Sequence, residues 1–197
     1  TTSAPDALVG PGRSAACEST APIAGLSNLP QLSYWASSAK LSDTTRFGMF
    51  GRTYPTDTAA ALALCTFWVQ EMGYTRAAAF FINDAYGEAY AEGLRTSCSA
   101  QGLSITSFPY SSGDEAGIET QLDYLRGTGL RVILGCILGA SDLQVIIAKA
   151  LALELLVDST WAFTDGVQAG DVASLPPALR SALHGSLMVS AQGGSDS

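Results

Sequence analysis

A chain of 197 residues with 47% hydrophobic content can build one substantial α/β domain or parts of two. Its 10 basic residues against 18 acidic ones leave a net charge of −8. With only Lys40 and Lys149 as lysines and no arginine cluster, it lacks the basic face that phosphate neutralisation requires, which argues against nucleic acid as a partner.

The first residues, Thr1-Thr2-Ser3-Ala4-Pro5-Asp6, lack the basic and apolar regions of a secretion signal and run straight into a strand, as expected of a piece of a longer protein. Apolar runs at 7–9, 31–34, 47–53, 77–82, 104–108, 131–137, 161–164 and 185–189 read as strands, and helical segments fill most intervals. This alternation predicts an α/β fold of βα units around parallel sheet. The longest uncharged apolar runs, such as 132–140, fall well short of the roughly 18 residues of a membrane span.

The first strand ends in Gly10-Pro11-Gly12, and the helix behind it starts at Arg13 and Ser14. Unpaired backbone N–H groups and the Ser14 hydroxyl then face the strand end, where they attract a carboxylate. The second strand runs into Tyr34-Trp35-Ala36-Ser37-Ser38. Parallel sheets bind ligands beyond the carboxyl ends of their strands, so Ser14 and Ser37 are expected to share one small zwitterion. The stretch 37–46 lacks helical periodicity and reads as a surface excursion, with a hinge near Tyr54-Pro55-Thr56.

Helices are predicted over 57–72, 86–100, 115–125 and 142–156. The first carries Ala61, Leu64, Cys65, Trp68 and Met72 at helical spacing, with Thr56 or Asp57 as cap and Gly73 as stop. Asp57 is thus first an N-cap, and a ligand contact if the hinge brings it into the cleft. Tyr86 begins the next helix, where an aromatic would be half exposed and could cover a ligand. Asp165 follows the strand 161–164 at a position where an acid is rarely needed for stability, and it suits an ammonium group.

Each feature has a plainer reading. Ser14 can be only a cap, and Ser37 with Ser38 only a turn. The Gly-Pro-Gly turn fails as a dinucleotide fingerprint at its third glycine, and no acid ends the next strand. Asp84 with Glu88 and Asp114 with Glu115 read as solvated helix-start carboxylates, and His184 as structural, so no feature argues for an enzyme and none for a cofactor. Cys17, Cys65, Cys98 and Cys136 have no CxxC spacing, and one histidine supports no metal site. Three lie in predicted helices and one in a core strand, which favours buried free thiols over disulfides.

The text Val9-Gly10-Pro11-Gly12 with Ser14, then Leu29-Pro30-Gln31-Leu32-Ser33-Tyr34 and Ala36-Ser37-Ser38, resembles a known family. Leu41-Ser42-Asp43, Phe50-Gly51-Arg52-Thr53, Pro55-Thr56-Asp57, Tyr86-Gly87-Glu88 and Thr164-Asp165-Gly166 continue the match in order and spacing, from about residue 7 to 190. The chain is similar to the ligand-binding region of receptors with the type I periplasmic-binding-protein fold, especially class C G-protein-coupled receptors of the metabotropic glutamate and GABA-B kind. The resemblance implies two doubly wound lobes with parallel sheets that close on a ligand. Residues 1–56 would be part of lobe 1, 57–187 lobe 2, and 188–197 a crossover strand end with a polar tail; the family's opening βα units are absent from this stretch.

It also implies that Ser14 meets the ligand's carboxylate, that Ser37 is shared between carboxylate and ammonium, and that Tyr86 and Asp165 engage on closure, with Asp57 a weaker match. Trp35 departs from the pattern, since related receptors usually have a small residue there. The implied protein is an extracellular sensor, tethered to a membrane elsewhere in its chain and able to pair through lobe 1. Alternatives are a periplasmic amino-acid-binding protein of a transporter, a lobe retained only for dimerisation, and a flavodoxin-like or Rossmann-like enzyme.

Overall fold

The computed structural model describes residues 5–190, so the tail 193–197 lies outside the described residues. Two parallel sheets carry the fold, each flanked by helices. The first is short: β1 (Leu8–Val9), β2 (Gln31–Ser33) and β3 (Phe50–Arg52), in that order, with α1 (Ser14–Leu26) crossing from β1 to β2. The second has the order β5-β4-β6-β7-β8, from β4 (Arg76–Ile82), β5 (Ser104–Tyr110), β6 (Val132–Cys136), β7 (Thr160–Thr164) and β8 (Leu187–Val189). Every pairing is parallel.

Its crossovers are α3 (Ala85–Ser99), α4 (Glu115–Thr128), α5 (Ala140–Ala152) and the two short helices α6 (Ala169–Ser174) and α7 (Pro177–Ala182). α2 (Asp57–Thr66) enters this unit from the first sheet. Strands covered on both faces must be apolar throughout, and β6, Val-Ile-Leu-Gly-Cys, is buried at every position. β4 places Ala77, Ala78 and Ala79 in the core, small enough to let helices approach. Trp68, Leu94, Ile118, Leu122, Ile133, Ile146 and Trp161 fill the space around it. A second, smaller core of Cys17, Ala21, Ala36, Leu41 and Phe47 holds the first sheet and its loop.

Several expectations change. The strand expected over 47–53 is only Phe50–Arg52, because Phe47 turns inward to seal the smaller core. The helix expected to Met72 is α-helical to Thr66 and then widens into a π-helical turn over Phe67–Glu71, carrying Trp68 inward. The excursion 37–46 contains a 3-10 turn, Ala39–Ser42, anchored by buried Leu41. Cys65 and Cys98 form a disulfide, contrary to the reading of free thiols: α2 and α3 pack side by side and bring their Cα atoms to 5.2 Å. Cys17 and Cys136 are free and buried, as expected.

Candidate functional site

The residues between β1 and α1 turn sharply, with Gly10 at φ +95°, a conformation that favours glycine. The Pro11 carbonyl accepts from the Ser33 hydroxyl at 2.7 Å and the Cys17 thiol at 3.2 Å, and Ser33 Oγ accepts from the Ala36 N–H at 3.0 Å. One serine therefore couples the ends of β1 and β2. α1 begins at Ser14 without any side-chain cap, leaving its first N–H groups facing the strand ends. Ser14 Oγ accepts from the Ser38 N–H at 3.2 Å, which brings the two predicted hydroxyl positions together. From β3, the Arg52 guanidinium donates to the Ala36 carbonyl at 3.2 Å, the Ser38 carbonyl at 2.7 Å and the Ser42 hydroxyl. The serine loop is thus clamped from behind.

The second sheet contributes from the ends of β4 and β7. Asp84 caps α3 by accepting from the Tyr86 and Gly87 N–H groups at 2.9 and 3.0 Å. A Cβ at Gly87 would lie 1.9 Å from the Ile82 carbonyl oxygen, so glycine alone lets α3 start this close to β4. Tyr86 is buried, not half exposed, because its hydroxyl finds partners below: it donates to Asp165 Oδ1 at 2.8 Å and meets Thr164 Oγ1 at 2.9 Å. Burial above all, then nearby negative charge, raises the Tyr86 pKa and keeps the phenol neutral. Asp165 Oδ2 accepts from the Tyr54 hydroxyl at 2.6 Å and from the Trp35 indole N–H at 3.3 Å. This carboxylate receives donors from both sides of the cleft.

Ser14, Ser37, Tyr86 and Asp165 line one inner cavity, together with Gly12, Arg13, Trp35, Leu138 and Gly166. Asp57 does not reach it. It starts α2 and faces an adjoining cavity of about 310 Å³ beside Tyr54, Thr56 and Val189, and Asp165 borders both spaces. The Asp57 N–H donates to the Ser37 carbonyl at 3.1 Å, while its carboxylate is 4% exposed and Oδ2 has no hydrogen-bond partner. Burial pushes its pKa up to about 7; a Ser37 hydrogen bond opposes this, the Asp165 charge adds to it and Arg52 counters it.

Two ion pairs cross the cleft: Arg13 to Asp84 at 2.8 Å and Lys40 to Glu88 at 2.7 Å. Asp84 and Glu88 are therefore bridging groups as well as helix-start carboxylates, whereas Asp114 simply caps α4 through the Gly117 N–H at 3.0 Å. His184 lies exposed on the turn after α7. Among the described residues, no group of three or more His, Cys, Asp or Glu could hold a metal ion, and no helix is long and apolar enough to cross a membrane. The sequence places Tyr54 at the hinge but not in the site, since nothing in Thr53-Tyr54-Pro55 signals a partner 111 residues away. Only its place at the hinge, next to a proline, could have drawn notice.

Compared with known families, residues 1–192 match the receptor family ligand binding region. The chain belongs to this family. Its two parallel sheets flanked by helices are those of the type I periplasmic-binding-protein class. Over 167 residues the chain is 27% identical to metabotropic glutamate receptor-like protein E of Dictyostelium discoideum, covering 81% of this chain and 20% of that protein. It spans about a fifth of that relative's length. The receptor family ligand binding region is not an enzyme family.

Proposed function

We propose that this receptor ligand-binding region takes an amino acid or a similar small zwitterion between two lobes and signals by their closure. Lobe 1 comprises residues 1–56 and lobe 2 residues 57–187, joined at Tyr54-Pro55-Thr56, with 188–190 starting the return and 191–197 outside the described residues. The observation that carries the reading is the polarity of the inner cavity. Hydroxyls and α1 N–H groups stand on one wall and the Asp165 carboxylate on the other. The ligand's carboxylate would meet Ser14, the α1 N-terminus and Ser37; its ammonium would meet Asp165, with Tyr86 closing over it and the Asp57 carboxyl, whose burial holds its proton up to about pH 7, standing behind. Contacts from both lobes exist together only in the closed state, so binding favours closure.

The relative's name supports a glutamate-receptor-like protein, and so an extracellular face and a membrane tether in the rest of the chain. The Cys65–Cys98 disulfide supports an oxidising compartment. Ile23 and Leu26 of α1 stand 67% and 87% exposed on the outer face of lobe 1, an apolar surface suited to pairing two receptors.

The test is thermal-shift and calorimetric screening of the amino acids and GABA against the protein, with Ser14→Ala and Asp165→Asn as controls. Ligand at about a hundred times Kd is expected to stabilise by about 2.7 kcal/mol. Asp165→Asn is expected to weaken binding by about 2 kcal/mol or more. Absence of any shift from folded protein, or unchanged affinity in both controls, overturns the reading.

A further inference from the structure

Trp35 follows β2 where the chain turns into the serine loop, and its indole N–H reaches Asp165 at 3.3 Å. The inner cavity it borders has about 20 Å³ free. A single water needs roughly 10–15 Å³ on the same measure, so this space admits very little beyond a compact polar head. Immediately outside lies a roomier cavity of about 330 Å³ that includes Ile82, Ser112 and Gln168. Arg13, Trp35, Leu138 and Gly166 border both spaces. Of these four, Trp35 alone combines large bulk with a hydrogen bond to the carboxylate at the inner end. It forms a partition between the polar seat and the open side.

We propose that Trp35 sets the size of the ligand. The inner seat takes the ligand's polar head, the indole blocks longer substituents from extending into the outer cavity, and zwitterions with the smallest substituents are therefore favoured. The inference rests on the zwitterion reading above and adds a size limit to it. A ligand anchored at Ser14 and Asp165 has two roomier neighbours: the cavity beside Asp57 shares only Asp165 with the seat, whereas the outer cavity shares four lining residues with it, so the broader passage is the one past the indole. Leu138, which also borders both spaces, is packed against the core and gives little way.

The experiment is calorimetric titration of glycine, L-serine, L-leucine, L-glutamate and GABA into the wild-type protein and into Trp35→Ala, Trp35→Leu and Trp35→Phe. Wild type is expected to bind glycine or serine at least about tenfold more tightly than leucine or glutamate, the scale on which pockets resolve small differences in size. Trp35→Ala and Trp35→Leu are expected to shrink that ratio about tenfold. Trp35→Phe, which keeps bulk without the N–H, is expected to keep the order. Wild type binding leucine or glutamate within about threefold of glycine overturns the size limit whatever the variants do. An unchanged order in folded Trp35→Ala or Trp35→Leu overturns it too. Failure of all five ligands to bind any of the four proteins would overturn the zwitterion reading along with it, whereas binding with a flat order would overturn the role of Trp35 alone.

Discussion

Replacing Asp57 with Asn is expected to stabilise the protein at pH 8 and to leave it almost unchanged at pH 4. The Asp57 carboxyl is 4% exposed, and its pKa stands at about 7 against an ordinary 3.8. The folded state therefore holds this proton more tightly than the unfolded state does. Below pH 3.8 both states are protonated; between 3.8 and about 7 only the folded state is, so stability falls as pH rises, and it levels off above 7. At about 1.4 kcal/mol per pH unit, the ionised carboxylate costs the fold on the order of 4 kcal/mol. An amide of the same shape cannot ionise and escapes this cost. Chemical denaturation of both proteins at intervals from pH 4 to 8 is the assay. The advantage of Asp57→Asn is expected to grow by about 2–4 kcal/mol over that range. A difference that stays flat with pH would refute the argument that burial, and not capping, dominates the energetics of this residue.

Arg52→Met leaves the Ala36 and Ser38 carbonyls without their guanidinium donor; a loss of about 2–3 kcal/mol in urea unfolding is expected. Reducing the Cys65–Cys98 bridge, or replacing both residues with Ser, opens a 33-residue loop and is expected to lower stability by about 3–4 kcal/mol, measured with and without reductant. Gly166→Ala would put a Cβ 2.4 Å from the Ile137 carbonyl and 3.2 Å from the Tyr86 ring. Thermal melts are expected to register a loss of about 1–3 kcal/mol, and tyrosine fluorescence a changed Tyr86 environment.

Alternation of apolar runs with helical periodicity made the parallel architecture legible, because each βα unit writes its period locally. The Gly10-Pro11-Gly12 turn and the serines beyond β2 were legible for the same reason: strand end, turn and helix start lie within a few residues of each other. Four of the five residues singled out come together in one cavity, while Asp57 lies behind it; Thr56, and not Asp57, stands at the cap position, and the start of a helix does not tell which way its first side chain faces. What stayed hidden depends on long separations. Arg13–Asp84 spans 71 residues, Lys40–Glu88 48 and Trp35–Asp165 130, all between separate sheets, and no local pattern encodes such a meeting. The disulfide was hidden likewise, because its two cysteines belong to different helices whose facing sides only tertiary packing decides. β1 and β2 were legible as apolar strands but their cover was not: Val9 is 79% and Leu32 43% exposed, since an apolar run does not say which faces find a partner.

Asp165 already accepts from Tyr86, Tyr54 and Trp35, so it is never a bare charge awaiting a counter-ion. Under the zwitterion binding proposed above, ligand entry would be an exchange in which an ammonium displaces neutral donors from Oδ2. The net gain is the margin by which a charged donor outdoes a phenol and an indole, roughly a factor of two in bond strength, and not the whole energy of an ion pair. With the closure proposed above, a receptor built this way would trade tight capture for a small difference between its empty and filled closed states. Its response would then be graded by how well the ligand's amine imitates, and surpasses, donors that the protein already supplies.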